Sequence, residues 1–152
     1  MKKTILLFIG LFIAANAKAL DVSLDIGVIP NNFKPIIEIK TNLPPGTEFT
    51  ASIVNPINRG GTGAGAWMDA KVSNSYIVRF VPPQPVPAGI YAAHVGMHLT
   101  QGQPKNVLRV IGNDGELLTG DYISTMPGVG RGIYTSFWFE VATDGSVHNF
   151  AP

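Results

Sequence analysis

Three residues of types that bind copper in proteins lie close together in the second half of the sequence: His94, Met97 and His98. A thioether sulfur suits Cu(I) and an imidazole suits Cu(II), so these residues form a candidate metal site. On a helix the two histidines would share one face, whereas on a strand they would lie about 13 Å apart, too far for one ion. The alternative is that Met97 fills the hydrophobic core and that the histidines are ordinary surface or core groups.

The motifs of common catalytic sites are missing from the sequence. The G-x-S-x-G elbow of serine hydrolases is absent, and the ten carboxylates show no paired arrangement typical of glycoside hydrolysis. The glycine-rich stretches 61–65 and 128–132 lack both the G-K-[ST] ending and the G-x-G-x-x-G spacing of phosphate loops. We therefore expect a protein that is not an enzyme and holds no cofactor. A small secreted hydrolase remains the second alternative, because serines and histidines can converge in space without a local motif.

A second candidate site is the aromatic stretch YTSFWFE near the C-terminus. On a strand, Phe137 and Phe139 point to one face while Tyr134 and Trp138 point to the other. One face must belong to the core. The other either packs under a loop or forms an exposed platform for a sugar ring or a protein partner. Tyr134, Trp138 and, further from them in sequence, Trp67 are accordingly the candidate partner-binding residues.

The segments that contain the candidate metal-binding and aromatic residues are predicted to be strands. The chain has 17 glycines and 12 prolines that interrupt short apolar segments of period two, and helical periodicity is nearly absent. This pattern is typical of an all-β sandwich or barrel. The predicted strands are 20–28, 36–41, 48–54, 67–72, 75–80, 89–99, 107–111 and 133–141, with 117–118 as a further short candidate.

Residues 1–19 have the organisation of a secretory signal peptide. Two lysines precede the apolar run 4–13, and small residues follow it, with possible cleavage after Ala19 or Ala17. The apolar run is about half the roughly 20 residues that a membrane-spanning helix needs. We therefore expect export to the periplasm or the medium of a bacterium, with the signal peptide removed.

Charge and cysteine content limit the possible partners. Removal of residues 1–19 leaves eight basic and ten acidic side chains, a formal net charge of −2, with the four arginines scattered along the chain. Without a positive stripe, binding to nucleic acid is not expected. The chain has no cysteine, so no disulfide is available and the fold depends on its hydrophobic core.

Two sequence stretches resemble the strand and turn rhythm of Ig-like or fibronectin-type modules in bacterial envelope proteins. These are LPPGT at 43–47 and PAGIY at 87–91, where a Gly-x-Tyr begins a late strand. The resemblance spans roughly residues 35–120 and is to this broad class of modules, not to one characterised family. It implies a single immunoglobulin-like antiparallel β-sandwich of 7–9 strands over residues 20–143, and a loose tail follows at 144–152.

Together these observations predict an exported, non-catalytic binding or structural module of the bacterial envelope. We expect its partner to be an envelope or secreted protein, and we expect neither a membrane span nor a nucleic-acid ligand. Oligomerisation through an unpaired edge strand is a further possibility. The first alternative is a periplasmic copper- or metal-handling protein that uses His94, Met97 and His98.

Overall fold

The computed structural model describes residues 18–56 and 66–150. Strands make up 49% of these residues and there is one α-helix, which confirms the all-β class. The predicted signal peptide lies outside the described residues, apart from its last two positions. No helix in the described part of the chain is long and apolar enough to cross a membrane.

Most strands are short, and one 3-10 turn and one α-helix lie between β7 and β8. In chain order the elements are β1 (Leu20–Asp21), β2 (Leu24–Ile29), β3 (Ile36–Thr41), β4 (Glu48–Val54), β5 (Ala66–Lys71), β6 (Ile77–Phe80), β7 (Gly89–Met97), a 3-10 turn (Thr100–Gly102), α1 (Lys105–Ile111), β8 (Leu118–Thr119), β9 (Ile123–Met126), β10 (Gly130–Val141) and β11 (Val147–Asn149).

The largest sheet has six strands and is antiparallel throughout. Its order is β11-β10-β7-β4-β5, and β9 pairs with the N-terminal part of β10. The strands β7 and β10 are the longest, with 9 and 12 residues, and they form the centre of the sheet. A three-stranded antiparallel sheet has the order β2-β3-β6, and β1 pairs with β8 in parallel.

One hydrophobic core joins the two larger sheets. Alternate residues of each strand face it, because successive side chains of a strand point to opposite faces. Phe49, Tyr91 and Phe139 contribute the largest buried side chains from the six-stranded sheet, and Ile37 and Phe80 contribute from the three-stranded sheet. The rings of Tyr91 and Phe139 stack with their centroids 5.7 Å apart, so aromatic side chains of β7 and β10 pack directly against each other in the core.

The predicted strand at 107–111 is wrong, because residues 105–111 form the helix α1. A strand would place residues 107, 109 and 111 on one face and would bury the guanidinium of Arg109. The helix instead brings Val107 and Ile111, four residues apart, onto one buried face and leaves Arg109 exposed. The segment is too short for its helical periodicity to stand out in the sequence.

The C-terminal segment is more ordered than a loose tail. Strand β11 pairs with β10, and Val147 lies opposite Val141. The turn between them is closed by hydrogen bonds from the N–H of Ala142 to the carbonyl of Ser146 and from the N–H of Gly145 to the carbonyl of Ala142. The dipeptide Asp144-Gly145 is a strong hairpin signal, and Gly145 has a φ of +80°. The sequence therefore contained the information for this hairpin.

Candidate functional site

The candidate site lies on the face of the six-stranded sheet that points away from the core, which we call the outer face. The register places Trp67 of β5 opposite Ser52 of β4, Ser52 opposite His94 of β7, and His94 opposite Ser136 of β10. These four residues form one row across the sheet. The next row consists of Asp69, Thr50, Gly96 and Tyr134.

The three aromatic residues that were predicted to bind a partner all lie on this outer face. Trp67 is 77% exposed, Tyr134 is 56% exposed and Trp138 is 47% exposed. Phe139, on the opposite face of β10, is fully buried, in agreement with the alternation in the sequence. An exposed tryptophan and tyrosine on one sheet face are unusual, since large aromatic side chains gain most from burial.

Trp67 and Tyr134 lie on either side of a groove of about 640 Å³ on the outer face. Its floor consists of the short residues Thr50, Ser52 and Gly96 on the neighbouring strands β4 and β7. The edges are high because the residues of the flanking strands are large, and this difference in side-chain size creates the concavity. Leu99 and Met126, which the sequence analysis did not predict to bind a partner, also line the groove and are 54% and 36% exposed.

Trp138 lies on the same face but outside the groove, four residues along β10 from Tyr134. Its neighbour across the sheet is Ala92, and its carbonyl accepts a hydrogen bond from the N–H of Phe150. Ile90 and Phe150 are exposed at this end of the sheet, at 38% and 42%. The structure thus brings two of the predicted aromatic residues together and places the third in an extension of the same apolar surface.

His94 is held between the floor of the groove and Tyr134. The two rings stack with centroids 6.3 Å apart and an interplanar angle of 14°, and the Tyr134 hydroxyl lies 3.2 Å from Nδ1 of His94. A Cβ at Gly96 would lie 3.8 Å from Cδ2 of Tyr134, so the ring of Tyr134 rests over the backbone of Gly96. The imidazole therefore forms part of the groove wall and has a hydrogen-bond partner there.

The three predicted metal ligands do not come together at one site. His94 is on the outer face, whereas Met97, an odd number of residues away, is 6% exposed and belongs to the core. His98 follows β7, with Nδ1 3.5 Å from Glu48 and Nε2 3.1 Å from Asp69. Within residues 18–56 and 66–150, no group of three or more histidine, aspartate or glutamate side chains is arranged to hold a metal ion. The copper hypothesis stays a prediction.

His98 belongs instead to a charged corner of the outer face, formed with Glu48, Asp69 and Lys71. The ammonium of Lys71 lies 2.7 Å from Oε1 of Glu48. The hydrogen bond from Lys71, together with the nearby His98, lowers the pKa of Glu48 below its ordinary value against the opposing effect of burial. This corner adjoins the row that contains Tyr134, so the aromatic groove has a polar, charged border.

The glycine-rich stretch 128–132 is part of the β9–β10 hairpin and packs against the turn 113–116. The N–H of Arg131 donates a hydrogen bond to the carbonyl of Asp114 at 2.7 Å. A Cβ at Gly130 would collide with that carbonyl of Asp114, and a Cβ at Gly115 would collide with the carbonyl of Arg131. These glycines permit close contact between two backbones. The stretch 61–65 lies outside the described residues.

The chain matches no protein family model and no curated protein. The functional argument therefore depends on the geometry of the outer face.

Proposed function

We propose that this protein is an exported, non-catalytic binding module that recognises a protein partner through the outer face of its six-stranded sheet. The observation that carries the proposal is the pair Trp67 and Tyr134, both more than half exposed, on opposite sides of one groove. Tryptophan and tyrosine are the residues most enriched among the energetic hot spots of protein interfaces. Their side chains bury a large area with few rotatable bonds, so binding costs little conformational entropy.

The surface fits a protein better than a single sugar ring. Outside the groove, Trp138 and Phe150 are further exposed aromatic residues in or beside the six-stranded sheet, so the exposed aromatic side chains extend beyond the size of one ring. The groove floor offers the hydroxyls of Thr50 and Ser52 as hydrogen-bonding groups. An apolar centre with a polar border, here the charged corner at Glu48, is the usual composition of a protein interface.

The finer assignment of the fold as immunoglobulin-like is part of this proposal. Two antiparallel sheets around one core support it, as does the sequence resemblance at 43–47 and 87–91. A further support is Tyr91, the third residue of β7, whose hydroxyl donates a 2.7 Å hydrogen bond to the carbonyl of Pro87 four residues upstream. This contact is similar to the tyrosine corner of immunoglobulin-like domains. Modules of this kind mostly bind or space other proteins, which agrees with the proposed role.

The signal-peptide pattern at 1–19 supports the part of the proposal that concerns export to the periplasm or the medium of a bacterium. In these compartments many modules act by binding, and the absence of cysteine is no obstacle for a domain with a well-filled core.

Capture from an envelope extract of the native host tests the proposal. Immobilised protein is compared with Trp67→Ala, Tyr134→Ala and the matched control Val110→Ala, whose side chain is 41% exposed on α1 and does not line the groove. We expect one defined protein to bind the wild type and the control, and to lose at least tenfold in affinity for each aromatic variant. Equal capture by all four proteins, each with an unchanged unfolding transition, would overturn the proposal.

A further inference from the structure

Strand β5 lies at one edge of the six-stranded sheet as the described residues form it. It pairs with β4 on one side, and no strand among the described residues pairs with its other side. The N–H of Val72 donates to the carbonyl of Thr47, and the N–H of His98 donates to the carbonyl of Glu48. Because hydrogen bonds alternate along an antiparallel strand, even-numbered residues of β5 point their backbone groups at β4. The N–H and C=O groups of Trp67, Asp69 and Lys71 consequently point outwards from the sheet.

The charges on this edge are complementary to themselves. Asp69 and Lys71 lie two residues apart on the same face, and their side chains are 78% and 66% exposed. Each already has one partner in its own chain, His98 for Asp69 and Glu48 for Lys71, so the second copy adds a second partner to each charge. If a second copy of β5 pairs antiparallel about a two-fold axis at Ala70, Asp69 of each copy lies opposite Lys71 of the other. Directly opposed residues of an antiparallel pair interact, and unlike charges stabilise the pairing.

The backbone and the charges together select this register. Since the outward-pointing groups belong to odd-numbered residues, the axis must pass through a residue and not between two residues. The axes that then pair Asp69 with a residue of β5 pass through residue 68, 69 or 70. An axis at Asp69 would set two aspartates opposite each other, which is destabilising. An axis at Met68 would leave Lys71 beyond the end of the partner strand and without an opposed acid. Only the axis at Ala70 satisfies both the hydrogen bonds and the charges.

We propose that two copies of this chain associate through antiparallel pairing of their β5 strands, in the register that sets Asp69 opposite Lys71 of the second copy. Four backbone hydrogen bonds form, because Asp69 and Lys71 of each copy each contribute one N–H and one carbonyl. The pairing ends there, since Ser73 already donates to the carbonyl of Ile77 and accepts from Tyr76. Trp67 becomes the diagonal neighbour of Lys71 in the second copy and packs on its methylene chain.

The dimer is expected to be reversible and dependent on salt. The interface consists of one short strand per copy, so association is weak and depends on protein concentration. The two ion pairs are exposed to solvent, and added salt screens them. The pairing joins two six-stranded sheets edge to edge and sets their aromatic grooves side by side on one continuous face, so that a single partner can contact both.

Charge reversal tests the register. The variant Asp69→Lys has lysine at positions 69 and 71, so lysines of the two copies lie opposite each other. The variant Lys71→Glu has acidic residues at positions 69 and 71, so acids of the two copies lie opposite each other. We expect sedimentation equilibrium to show that the wild type dimerises as concentration rises, that each variant alone is monomeric, and that an equimolar mixture of the two variants forms heterodimers. A wild type that is monomeric at every concentration would overturn the proposal. So would a mixture that stays monomeric while both variants have wild-type circular dichroism and unfolding transitions.

A backbone substitution separates edge pairing from other kinds of association. Asp69→Pro removes an N–H that points outwards and leaves the pairing with β4 intact, as proline is tolerated on edge strands. Asp69→Ala is the matched control, because it removes the same carboxylate and retains the N–H. We expect the proline variant to dimerise at least tenfold more weakly than the alanine variant, since it lacks two hydrogen bonds per dimer. Equal dimerisation of the two variants would show that β5 is not the interface.

The dimer and the proposed partner surface can be tested independently. Tyr134→Ala alters the groove and leaves the β5 edge unchanged, whereas the charge variants at Asp69 and Lys71 alter the edge. A wild type that captures the partner but stays monomeric at every concentration would contradict only the inference on β5. Loss of capture in Tyr134→Ala leaves that inference in place, provided that the variant still dimerises.

Discussion

Tyr134 and His94 form the one stacked ring pair found on the outer face within the described part of the chain, with centroids 6.3 Å apart and the Tyr134 hydroxyl 3.2 Å from Nδ1 of His94. Tyr134 lies on β10 and His94 on the neighbouring strand β7, and the absence of a side chain at Gly96 lets the tyrosine ring rest on the sheet. The contact orients an exposed aromatic ring, so its main effect is on recognition.

Substitutions at Tyr134 should therefore separate stability from binding. Tyr134→Phe removes a solvent-exposed hydrogen bond and retains the ring, so we expect the free energy of unfolding to fall by less than about 1 kcal/mol and partner binding to persist. Tyr134→Ala removes the ring and should weaken binding while stability again changes by about 1 kcal/mol or less. Urea denaturation and a binding titration measure the two quantities. A large loss of stability in Tyr134→Phe would show that the residue is structural.

Glycines at the contact between the β9–β10 hairpin and the turn 113–116 should be essential for stability. Gly115 and Gly130 have φ values of +71° and +108°, and a Cβ on either would collide with a backbone carbonyl. We expect Gly115→Ala and Gly130→Ala each to lower the free energy of unfolding by about 2 to 4 kcal/mol, since strain and collision add.

Gly128 and Gly102 provide the controls for that experiment. Gly128 has a φ of +74° with no atom within 4 Å of an added Cβ, so Gly128→Ala should show backbone strain alone, about 1 kcal/mol. Gly102 has neither constraint, and Gly102→Ala should be nearly neutral. Thermal unfolding of the four variants gives the order. If Gly128→Ala were as destabilising as Gly130→Ala, the close contact with Asp114 would contribute nothing.

Tyr91 should make the protein sensitive to alkali. Burial raises the pKa of Tyr91 above its ordinary value of about 10, although a hydrogen bond with Asn55 opposes this shift. The unfolded chain therefore loses this proton at a lower pH than the folded protein. The stabilisation is complete below about pH 10 and is lost as the pH rises towards the raised pKa.

Tyr91→Phe is the variant that tests this pH dependence. It should cost about 1 kcal/mol at neutral pH, because the hydrogen bond to Pro87 is lost, and its stability should then decline less steeply above pH 10. Tyr76→Phe, at an exposed position, should keep the wild-type decline. Urea denaturation at a series of alkaline pH values measures the slopes. Parallel curves for the wild type and Tyr91→Phe would contradict the prediction.

The ion pair of Glu48 and Lys71 should contribute stability that acid removes. The hydrogen bond from Lys71 is the largest cause of the lowered pKa of Glu48. A lowered pKa in the folded state gives stability that is present above the ordinary pKa of about 4.3 and is lost as the pH falls through the lowered value. Lys71→Met should reduce stability at neutral pH by less than about 1 kcal/mol, and the difference from the wild type should vanish as the pH falls through the lowered pKa of Glu48. A difference that is constant with pH would mean that Lys71 acts through packing.

Local patterns in the sequence were sufficient to predict most strands of this protein. The period-two alternation predicted the bounds of β3 and β4 and the side chains of β2, β3, β4 and β10 that face the core. It did not predict that the segment 20–28 divides into β1 and β2, which belong to different sheets, or that β10 begins at Gly130. The alternation also predicted that Tyr134 and Trp138 point away from Phe139. The helix α1 was missed because two core residues at a spacing of four do not distinguish a single helical turn from a short apolar strand.

The sequence by itself determined the all-β class and the two faces of the strands with a clear period-two pattern, because these depend on interactions between residues that are near one another in the chain. Only the tertiary structure decided that β5, β4, β7 and β10 lie side by side. That order brings Trp67 to the same groove as Tyr134, and it leaves the edge of β5 unpaired among the described residues. The physical reason is that the choice of neighbouring strands depends on how the whole core is filled, and each strand's own pattern is compatible with many neighbours.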